Sequence, residues 1–555
     1  MNFSIKKIGI VAVGATVLFA SYAFGNRYFQ ISKNLDILAA VYREVNVSYV
    51  DEQDPSKLMR NLIDGMLKTL DPYTNYFSQS QVETARMEQT GKFGGIGIKV
   101  EMQDGIAVIT HVEKGLPAYE SNLKPGDRIV EIDGTVTKGK TKEDVERFLR
   151  GQPNSTMNIK VEKVIAAEKY ETQTLSLSRI ETQETNVPYF GMITENTGVV
   201  RLKIFNENAA RDVKNAFDSL KRSNPAMKSL ILDLRGNPGG LLQEAVKIVN
   251  IFIDRNQLVV STKGKVPEWN TSFKTLDAPT DTKIPIAVIT DNMSASASEI
   301  VSGSLQDLDR GIVVGQKTYG KGLVQITKNL SYNTVLKVTT AKYYIPSGRC
   351  IQAINYAEKN TDGSVKRIPD SLKTAFKTKA GRTVYDGGGI DPDVVIPKKE
   401  ISKIAQQLEA KHLLFDYATL FALQHKSIAS PKDFKLSDAD FSAFLQFIQN
   451  KDYSYSTESE KLLEELKNAA EEEKYFDAIK EKYETIKAKL AHDKQQDVIK
   501  ARKEITALLE AEIVGRYYFD AGFEQRQMLS DDRIAKALEI LNDMSKYNEI
   551  LSAKK

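Results

Sequence analysis

Apolar and polar positions follow four different patterns along the chain. Residues 31–90 carry apolar side chains at helical spacing, whereas residues 91–180 form short alternating runs that end at glycines. Residues 181–400 switch between strand-like and helix-like segments, and residues 401–555 return to helical spacing with few glycines. The sequence therefore predicts a multidomain α/β protein with a helical N-terminal segment, a β-rich domain, an α/β core and an all-helical C-terminal domain.

The α/β core is predicted from strand-like and helix-like segments in alternation. Strand-like Val199–Ile204 precedes helical Ala209–Arg222, and strand-like Leu230–Leu234 precedes helical Leu241–Ile253. Such alternation implies a largely buried sheet. The string Asp233-Leu-Arg-Gly-Asn-Pro-Gly-Gly240 falls between a strand and a helix, where functional loops collect, although a glycine and proline turn is also common for structural reasons.

The N-terminus combines two lysines with an apolar run. Lys6 and Lys7 precede an uncharged, mostly apolar stretch from Ile8 to Phe24. This pattern predicts an export signal or a signal anchor in residues 1–30, at the lower limit of length for crossing a bilayer. Ser21-Tyr-Ala23 is a weak cleavage site, so cleavage stays open beside a retained anchor. The lysines predict that the bulk of the chain lies outside the cytoplasm, in the cell envelope or periplasm.

Composition narrows the range of partners and cofactors. The 555 residues carry a formal net charge of +4, which is small for this length and gives no reason to expect nucleic acid as a partner. Cys350 is the single cysteine, so an internal disulfide is impossible and a thiol site lacks a second ligand or an obvious base. We expect no metal ion and no organic cofactor.

The stretch Asp291–Gln325 carries the candidate chemistry. A strand-like run ends at Thr290, and a Ser/Ala turn leads into a helix-like segment in which Ser296 and Glu299 form a Ser-x-x-Glu pattern. The plain interpretation of Ser296 is a helix cap. A hydroxyl at a helix N-terminus also lies beside unpaired amides and the positive end of the helix dipole, which stabilise negative charge. Ser296 is therefore a candidate nucleophile that still needs a base.

Lys321 is the candidate base. No histidine lies in this apolar, glycine-punctuated region, and a serine–lysine dyad needs none. Lys321 stands between Gly320 and Gly322, which is also an ordinary position for a solvated surface lysine. Burial would have to lower its pKa toward neutrality before the amine could act as a base. Gln325 would accept a hydrogen bond from the amine and hold it in line.

Three strings in the core resemble one family. They are Leu232–Gly240, Ser294–Glu299 and Gly315–Gln325, in that family's order and spacing. The family is that of the carboxy-terminal processing peptidases, also called tail-specific proteases, which use a serine–lysine dyad. The resemblance runs from about Leu35 to Pro397 and implies a serine protease core within residues 181–400.

The resemblance also implies roles for individual residues. It makes Ser296 the nucleophile, Lys321 the general base and Gln325 its orienter. It further implies an oxyanion hole built from the amide of Ala297 and an amide of the Gly239-Gly240 turn. No metal or organic cofactor is implied.

Residues 91–180 carry a second resemblance. Lys92–Ile98 is rich in glycine and Leu123–Gly134 contains a Pro-Gly-Asp-Arg-Ile string, and together they resemble a PDZ domain inserted before the protease core. In such a domain the glycine-rich loop offers backbone amides to a terminal carboxylate, and the peptide adds as a strand to the sheet edge. The loop by itself would equally be a hairpin turn. The resemblance assigns carboxylate capture to Gly94, Gly95, Ile96 and Gly97.

The sequences of the two helical parts, residues 31–90 and 401–555, give less specific predictions. In the family, the segment at 31–90 packs against the protease or against a second subunit. In residues 401–555 Glu, Lys, Ala and Leu dominate, which predicts a helical bundle with a charged face or, alternatively, a coiled-coil partner surface. Because the resemblance ends before this domain, we expect the catalytic core not to require it.

Together these observations predict an exported serine endopeptidase that recognises C-terminal tails through its PDZ-like domain and cleaves through an acyl-enzyme. The expected partners are protein or peptide substrates with free C-termini, the membrane through the N-terminal segment, and a homo-oligomer or an adaptor protein. The alternative is a membrane-tethered PDZ scaffold with an inactive protease-like core. A binder has no need for Ser296, Lys321 and Gln325 together, which favours the enzyme.

Overall fold

The computed structural model describes residues 28–82, 86, 92–359, 365–490 and 494–553. Two compact units meet in the sequence between Tyr76 and Phe77. In the first unit the helices are α1 (28–48) and α2 (Pro55–Leu67), and a short strand, β1 (Asn75–Phe77), follows. Asp54 caps α2 by accepting two backbone N–H bonds, and proline stands at the first turn. The predicted helical N-terminal segment is confirmed.

The predicted membrane anchor requires a correction. The apolar run Ile8–Phe24 that carried this prediction lies outside the described residues. Within the described ranges, no helix has both the length and the apolar character needed to cross a bilayer. The prediction of a protein anchored in the cell envelope or periplasm by an N-terminal membrane segment is contradicted by this finding.

Residues 92–183 form a small antiparallel domain. Its strands are β2 (Lys92–Gly95), β3 (Ile98–Gln103), β4 (Ile106–Val112), β5 (Arg128–Ile132), β6 (Thr135–Val136), β7 (Thr156–Ala166), β8 (Lys169–Ser178) and β9 (Ile180–Gln183), and its helices are α3 (Pro117–Glu120) and α4 (Lys142–Leu149). The main sheet has the order β3-β4-β5-β7-β8, with β6 on β5, while β2 pairs with β9. Alternate residues of β7, such as Met157 and Ile159, point into the core. The strand β3 lies at the sheet edge.

The central part of the chain is an α/β core with its own sheet. Its strands are β10 (Tyr189–Met192), β11 (Thr197–Arg201), β12 (Ser229–Asp233), β15 (Ile286–Thr290), β16 (Ile312–Gly315) and β23 (Val394–Val395), in that spatial order. The pair β10–β11 is antiparallel and the other pairs are parallel. Every residue of β12, β15 and β16 is buried, as expected for parallel strands that are covered on both faces.

Helices and a second sheet complete this core. The helices are α5 (Ala209–Ser223), α6 (Leu242–Phe252) and α7 (Ala297–Asp307), and the remaining strands are β13 (Leu258–Gly264), β14 (Thr271–Lys274), β17 (Leu323–Leu330), β18 (Thr334–Tyr344), β19 (Ile354–Lys359), β20 (Val365–Arg367), β21 (Ala375–Lys377) and β22 (Thr383–Tyr385). β14, β13, β18 and β17 pair antiparallel in that order. This sheet places Tyr343 of β18 beside the N-terminus of α7, since its hydroxyl lies 3.1 Å from the carbonyl oxygen of Ser296.

The C-terminal part is helical, as predicted. Its helices are α8 (Lys403–Ala410), α9 (Leu413–Gln424), α10 (Asp438–Ile448), α11 (Glu458–Glu472), α12 (Phe476–Leu490), α13 (Lys494–Lys500), α14 (Arg502–Met528), α15 (Asp532–Leu541) and α16 (Met544–Leu551). Helices α8, α9, α10 and α14 share one apolar core. The described C-terminal helices therefore include a bundle of their own.

The last two helices belong to a different core. Ile534, Ala537 and Ile540 of α15 pack with Ile231 and Ile289 on the central sheet. Tyr547 of α16 also reaches this sheet, because its hydroxyl accepts the amide of Ile286 at 3.0 Å. The C-terminal domain, which we expected the catalytic core not to require, thus contributes α15 and α16 as the cover of one face of the central sheet.

We expect Ile540→Ala to destabilise the protein by about 2–5 kcal/mol, because a fully buried side chain would leave a cavity against the central sheet. The measurement is the midpoint of the thermal transition of the full chain in scanning calorimetry. Met544→Ala, at an exposed position of the neighbouring helix, is the matched control and should change stability by less than about 0.5 kcal/mol. Equal midpoints for the two variants would show that α15 does not stabilise the core.

Candidate active site

Ser296 lies in a tight turn between a strand and a helix. The strand β15 ends at Thr290, and Ser296 is the N-cap residue of α7 with φ 56° and ψ −113°. A positive φ is uncommon for a residue other than glycine and persists only where the surroundings enforce it. The side chain is half-buried, while all of α7 is buried. The prediction that Ser296 stands at a helix N-terminus after a buried strand is confirmed.

The carboxylate of Glu299 joins this turn to the loop that carries Lys321. Glu299 is fully buried. Its Oε2 accepts the Ser296 amide at 2.8 Å and the Lys321 amide at 2.9 Å. Its Oε1 accepts the Gly320 amide at 2.7 Å and the Thr318 hydroxyl at 2.5 Å. One side chain therefore fixes the backbones of both predicted catalytic residues side by side.

The ionisation of Glu299 is shifted by its surroundings. Burial raises its pKa to about 7, although four donors to the carboxylate act in the opposite direction. Those donors are three backbone amides and one hydroxyl, and they suit the ionised form, which only accepts hydrogen bonds. We call these four hydrogen bonds to Glu299 the clamp. All four can form when Glu299 carries its negative charge.

A second contact joins the same two turns from the carbonyl side. The hydroxyl of Tyr343, on β18, lies 3.1 Å from the carbonyl oxygen of Ser296 and also within hydrogen-bond distance of the carbonyl oxygen of Lys321. Tyr343 is buried, and Lys321 is half-buried. Gln325 lies four residues after Lys321, at a bulge in β17, and its amide nitrogen donates to the Thr339 hydroxyl at 3.1 Å.

The glycine turn of the Leu232–Gly240 string packs directly on Ser296. Gly239 has φ +99°, and a Cβ there would lie 2.7 Å from the Cβ of Ser296 and 2.9 Å from the amide nitrogen of Ala297. Asn237, which is fully buried, holds this turn in place: its carbonyl oxygen accepts the Ala295 amide at 3.0 Å. The string therefore needs glycine at 239 because the two turns approach each other too closely for a side chain.

The predicted oxyanion amides differ in their availability. The Gly239 amide donates to Oδ1 of Asn237 at 2.9 Å and is occupied. Within the described part of the chain, the amides of Gly240 and Ala297 donate to no acceptor. Ala297 is the first residue of α7, where helix amides lack partners within the helix. Of the two glycines, Gly240 is thus the one whose amide faces no competing acceptor.

A charged network lies behind the glycine turn. Asp233 is fully buried and receives Arg201 at 3.1 Å and Arg235 at 2.8 Å. Burial alone would raise its pKa, but the two guanidinium groups bring it down to about 2. Arg235 also pairs with Asp531, and Arg201 lies 3.3 Å from Glu524, both in the C-terminal helical part. The C-terminal part therefore contacts the loop that follows β12.

The predicted carboxylate loop is divided by the structure. Gly94 and Gly95 belong to β2 and pair with β9, whereas Ile96 and Gly97 connect β2 to the edge strand β3. The carbonyl oxygens of Ile96 and Gly97 accept the amides of Ala118 and Glu113. Over the described ranges, the amides of Ile96 and Gly97 themselves have no acceptor. The assignment of carboxylate capture to this loop stays a prediction.

Sequence reasoning missed several residues that hold the site together. Glu299 was interpreted only as part of a capping pattern, and Asn237 and Tyr343 received no role. A glutamate within a helix-like segment of otherwise small and apolar residues was the available signal for Glu299. Nothing local marks Tyr343, because its two carbonyl partners are distant in sequence. Among the described residues, no group of His, Cys, Asp or Glu is arranged to hold a metal ion.

Three family models match the chain. The one described as "Peptidase family S41" matches residues 196–359, "PDZ domain" matches residues 94–178, and "Probable PDZ-protease, C-terminal helical domain" matches residues 404–541. These ranges fall on the α/β core, the antiparallel domain and the C-terminal helices. The predicted fold class is therefore confirmed.

Individual relatives agree with these matches. A "Probable CtpA-like serine protease" of Staphylococcus aureus (strain COL) is 31% identical over 419 residues, which cover 74% of this chain and 81% of that protein. A protein with the same description from Staphylococcus haemolyticus (strain JCSC1435) is 31% identical over 359 residues, which cover 63% of this chain and 70% of that protein. A solved "photosystem II D1 C-terminal processing protease" shares 24% identity over 66% of this chain and 93% of that one, but its TM-score of 0.36 is too low to support a structural conclusion.

The fold and the site thus define a serine peptidase that carries a PDZ domain. The chain belongs to peptidase family S41, and its relatives include CtpA-like serine proteases.

We expect the stability of the protein to depend on pH through Glu299. Because burial raises the pKa of Glu299 from 4.5 to about 7, its contribution is fully present below pH 4.5 and is lost as pH rises to about 7. Relative to Glu299→Gln, the free energy of unfolding should fall by roughly 3 kcal/mol over this range and then stay level. Urea unfolding of both proteins between pH 4 and 8 measures the difference, and a difference independent of pH would contradict the shift.

We expect Gly239→Ala to lower peptidase activity at least about 100-fold, because the added Cβ would push the glycine turn away from Ser296 and remove an oxyanion donor from its place. Gly236→Ala is the matched control. Gly236 also has a positive φ, of +62°, but it is exposed and far less crowded. The measurement is kcat/KM on an unfolded protein substrate, and similar values for the two variants would contradict the packing argument.

Proposed function

We propose that the chain is a serine endopeptidase in which Ser296 is the nucleophile and Lys321 the general base, and that its PDZ domain binds the C-terminal tail of a protein substrate. Family membership gives the class of enzyme. The observation that best supports this choice of residues is the buried Glu299 carboxylate, which accepts the amides of both Ser296 and Lys321. A helix cap accounts for the contact between Glu299 and Ser296, but it does not require the same carboxylate to accept the amide of Lys321 as well.

The first step is proton transfer from the Ser296 hydroxyl to the neutral amine of Lys321, as the oxygen attacks the scissile carbonyl. Only the neutral amine can accept a proton, so the dyad is active in the form in which Lys321 is deprotonated. The carboxylate of Glu299 already accepts four hydrogen bonds from the protein, so it holds the two backbones in place and takes no part in the proton transfer. Lys321 then returns the proton to the leaving amine, and water hydrolyses the acyl-enzyme.

The negative charge on the carbonyl oxygen is stabilised by two backbone amides. We assign these to Ala297 and Gly240, because the amide of Gly239 already donates to Asn237. Each such donor contributes on the order of 3 kcal/mol to the transition state. The N-terminal end of α7 adds the positive end of a helix dipole at the same place.

Gln325 orients the base in this scheme. Its amide nitrogen donates to Thr339, which directs the other end of the amide, the carbonyl oxygen, away from that hydroxyl. The carbonyl oxygen then accepts a hydrogen bond from the Lys321 amine. Such a contact aligns the amine with the serine hydroxyl without changing its charge.

Tail recognition falls to the PDZ domain. The amides of Ile96 and Gly97 bind the terminal carboxylate, and the tail adds as a strand to the free edge of β3. Gly94 and Gly95 support this loop through their pairing with β9. The substrate class is thus a protein or peptide with a free, extended C-terminus.

We expect both Ser296→Ala and Lys321→Ala to abolish cleavage of an unfolded protein with an apolar C-terminal tail, because each removes one half of the nucleophilic machinery. Cleavage products are followed by mass spectrometry. Lys317→Ala is the matched control, since Lys317 lies four residues before Lys321 and makes a partly exposed ion pair with Asp391. It should retain activity within a few-fold of the parent.

The outcomes separate enzyme from scaffold. Products that form equally with the parent and with Ser296→Ala would rule out Ser296 as nucleophile. Full activity of Lys321→Ala would rule out the dyad while leaving a serine peptidase. Absence of any cleavage by the parent, together with specific binding of the tail, would favour a PDZ scaffold with an inactive core.

A further inference from the structure

A kink interrupts the long helix of the C-terminal part. Within α14 the residue Phe519 has φ 56° and ψ −156°, which is not helical. Phenylalanine rarely adopts a positive φ, so the surrounding contacts must hold it there. We call residues 517–521, Tyr-Tyr-Phe-Asp-Ala, the aromatic segment.

The aromatic segment is fixed to the PDZ domain by two contacts. The ring of Phe519 packs edge to face on Tyr119 of α3, with centroids 5.5 Å apart at 70°. Oδ1 of Asp520 lies 2.8 Å from Nδ1 of His111 on β4. An aromatic pair and a side-chain contact at hydrogen-bond distance, made by adjacent residues, explain why the helix accepts the strained backbone at this point.

A cleft of about 710 Å³ lies between the aromatic segment and the PDZ domain. One wall is the free edge of β3 with the glycine loop before it, and the end of α4 around Leu149 closes the far side. The aromatic segment also lines this cleft. A volume of this size accommodates several residues of an extended peptide.

We propose that the aromatic segment completes the tail-binding cleft. It selects among tails by contacting those side chains of the bound peptide that point away from the pocket between β3 and α4. Side chains of an extended peptide alternate between two sides. With the last side chain in the pocket between β3 and α4, the penultimate side chain faces the aromatic segment. The ligand is an extended C-terminal peptide with a large apolar or aromatic penultimate residue. This inference rests on the proposed tail recognition by the PDZ domain.

Tyr518 is the residue of the segment best placed for this contact. It lines the cleft and remains partly exposed, whereas Phe519 is engaged with Tyr119. Its hydroxyl donates to the carbonyl oxygen of Ile428 at 3.3 Å, so the ring is held by the C-terminal part. A ring fixed in this way loses little conformational freedom when a ligand packs on it.

The test measures binding of fluorescein-labelled decapeptides to the full chain carrying Ser296→Ala, so that no peptide is cut. Two peptides end in a free carboxylate and differ only in the penultimate residue, phenylalanine or glycine, and a third is the phenylalanine peptide with an amidated end. Fluorescence anisotropy gives each Kd. We expect the phenylalanine peptide to bind at least about five-fold more tightly than the glycine peptide. The amidated peptide should bind far more weakly.

Variants then locate the source of this preference. Tyr518→Ala should reduce the phenylalanine-to-glycine ratio to near one, while Tyr518→Phe should preserve it. Tyr475→Ala, at an exposed tyrosine elsewhere in the C-terminal part, is the matched control and should leave the ratio unchanged. Phe519→Gly is a second variant, since glycine accepts a positive φ, and it should also lower the ratio by releasing the segment from Tyr119.

The outcomes distinguish this inference from the function on which it rests. A ratio that stays above five in both Tyr518→Ala and Phe519→Gly overturns the aromatic segment as a selector, while tail recognition stands. Equal binding of the free and amidated peptides, or no binding of any peptide, overturns recognition of the carboxylate by the PDZ domain and this inference with it.

Discussion

The rest of the site depends on one buried carboxylate. Glu299 has no contact with solvent and receives four hydrogen bonds, three of them from backbone amides. A buried charge is costly unless every lone pair is occupied, so each missing donor would destabilise the ionised clamp. The same bonds that satisfy Glu299 fix the turns of Ser296 and Lys321. The geometry of the proposed dyad therefore depends on the same hydrogen bonds that offset the cost of burying this carboxylate.

Ion pairs also join the loop that follows β12 to the C-terminal helices. Arg235, two residues beyond the strand that leads to the glycine turn, pairs with Asp233 on one side and Asp531 on the other. Asp531 in turn caps α15, whose apolar face covers the central sheet. A helical part that resembles an accessory domain in sequence thus supplies both packing and charge to the core. The C-terminal helical part therefore has a structural role in the core.

The fold and the site were predictable to different extents. Strands such as β12 and β15 were predictable because they are continuous apolar runs, and the Ser296 turn because a Ser-x-x-Glu pattern follows one of them. The position of α15 was not predictable, because an amphipathic pattern shows that a helix has a buried face without showing what covers that face. The clamp at Glu299 was missed for a similar reason, since its other donors come from a loop distant in sequence. The apolar run near the N-terminus shows the limit of composition alone, as a hydrophobic stretch did not establish a membrane anchor.

The cover of the central sheet by α15 and α16 has a consequence for biosynthesis. A ribosome makes β11, β12, β15 and β16 well before it makes residues 532–551, so during translation one apolar face of the finished sheet has nothing to pack against. The nascent chain must shield this face, through a chaperone or by delaying sheet formation, until the last helices emerge. The core of this sheet is therefore completed only after residues 532–551 have been made.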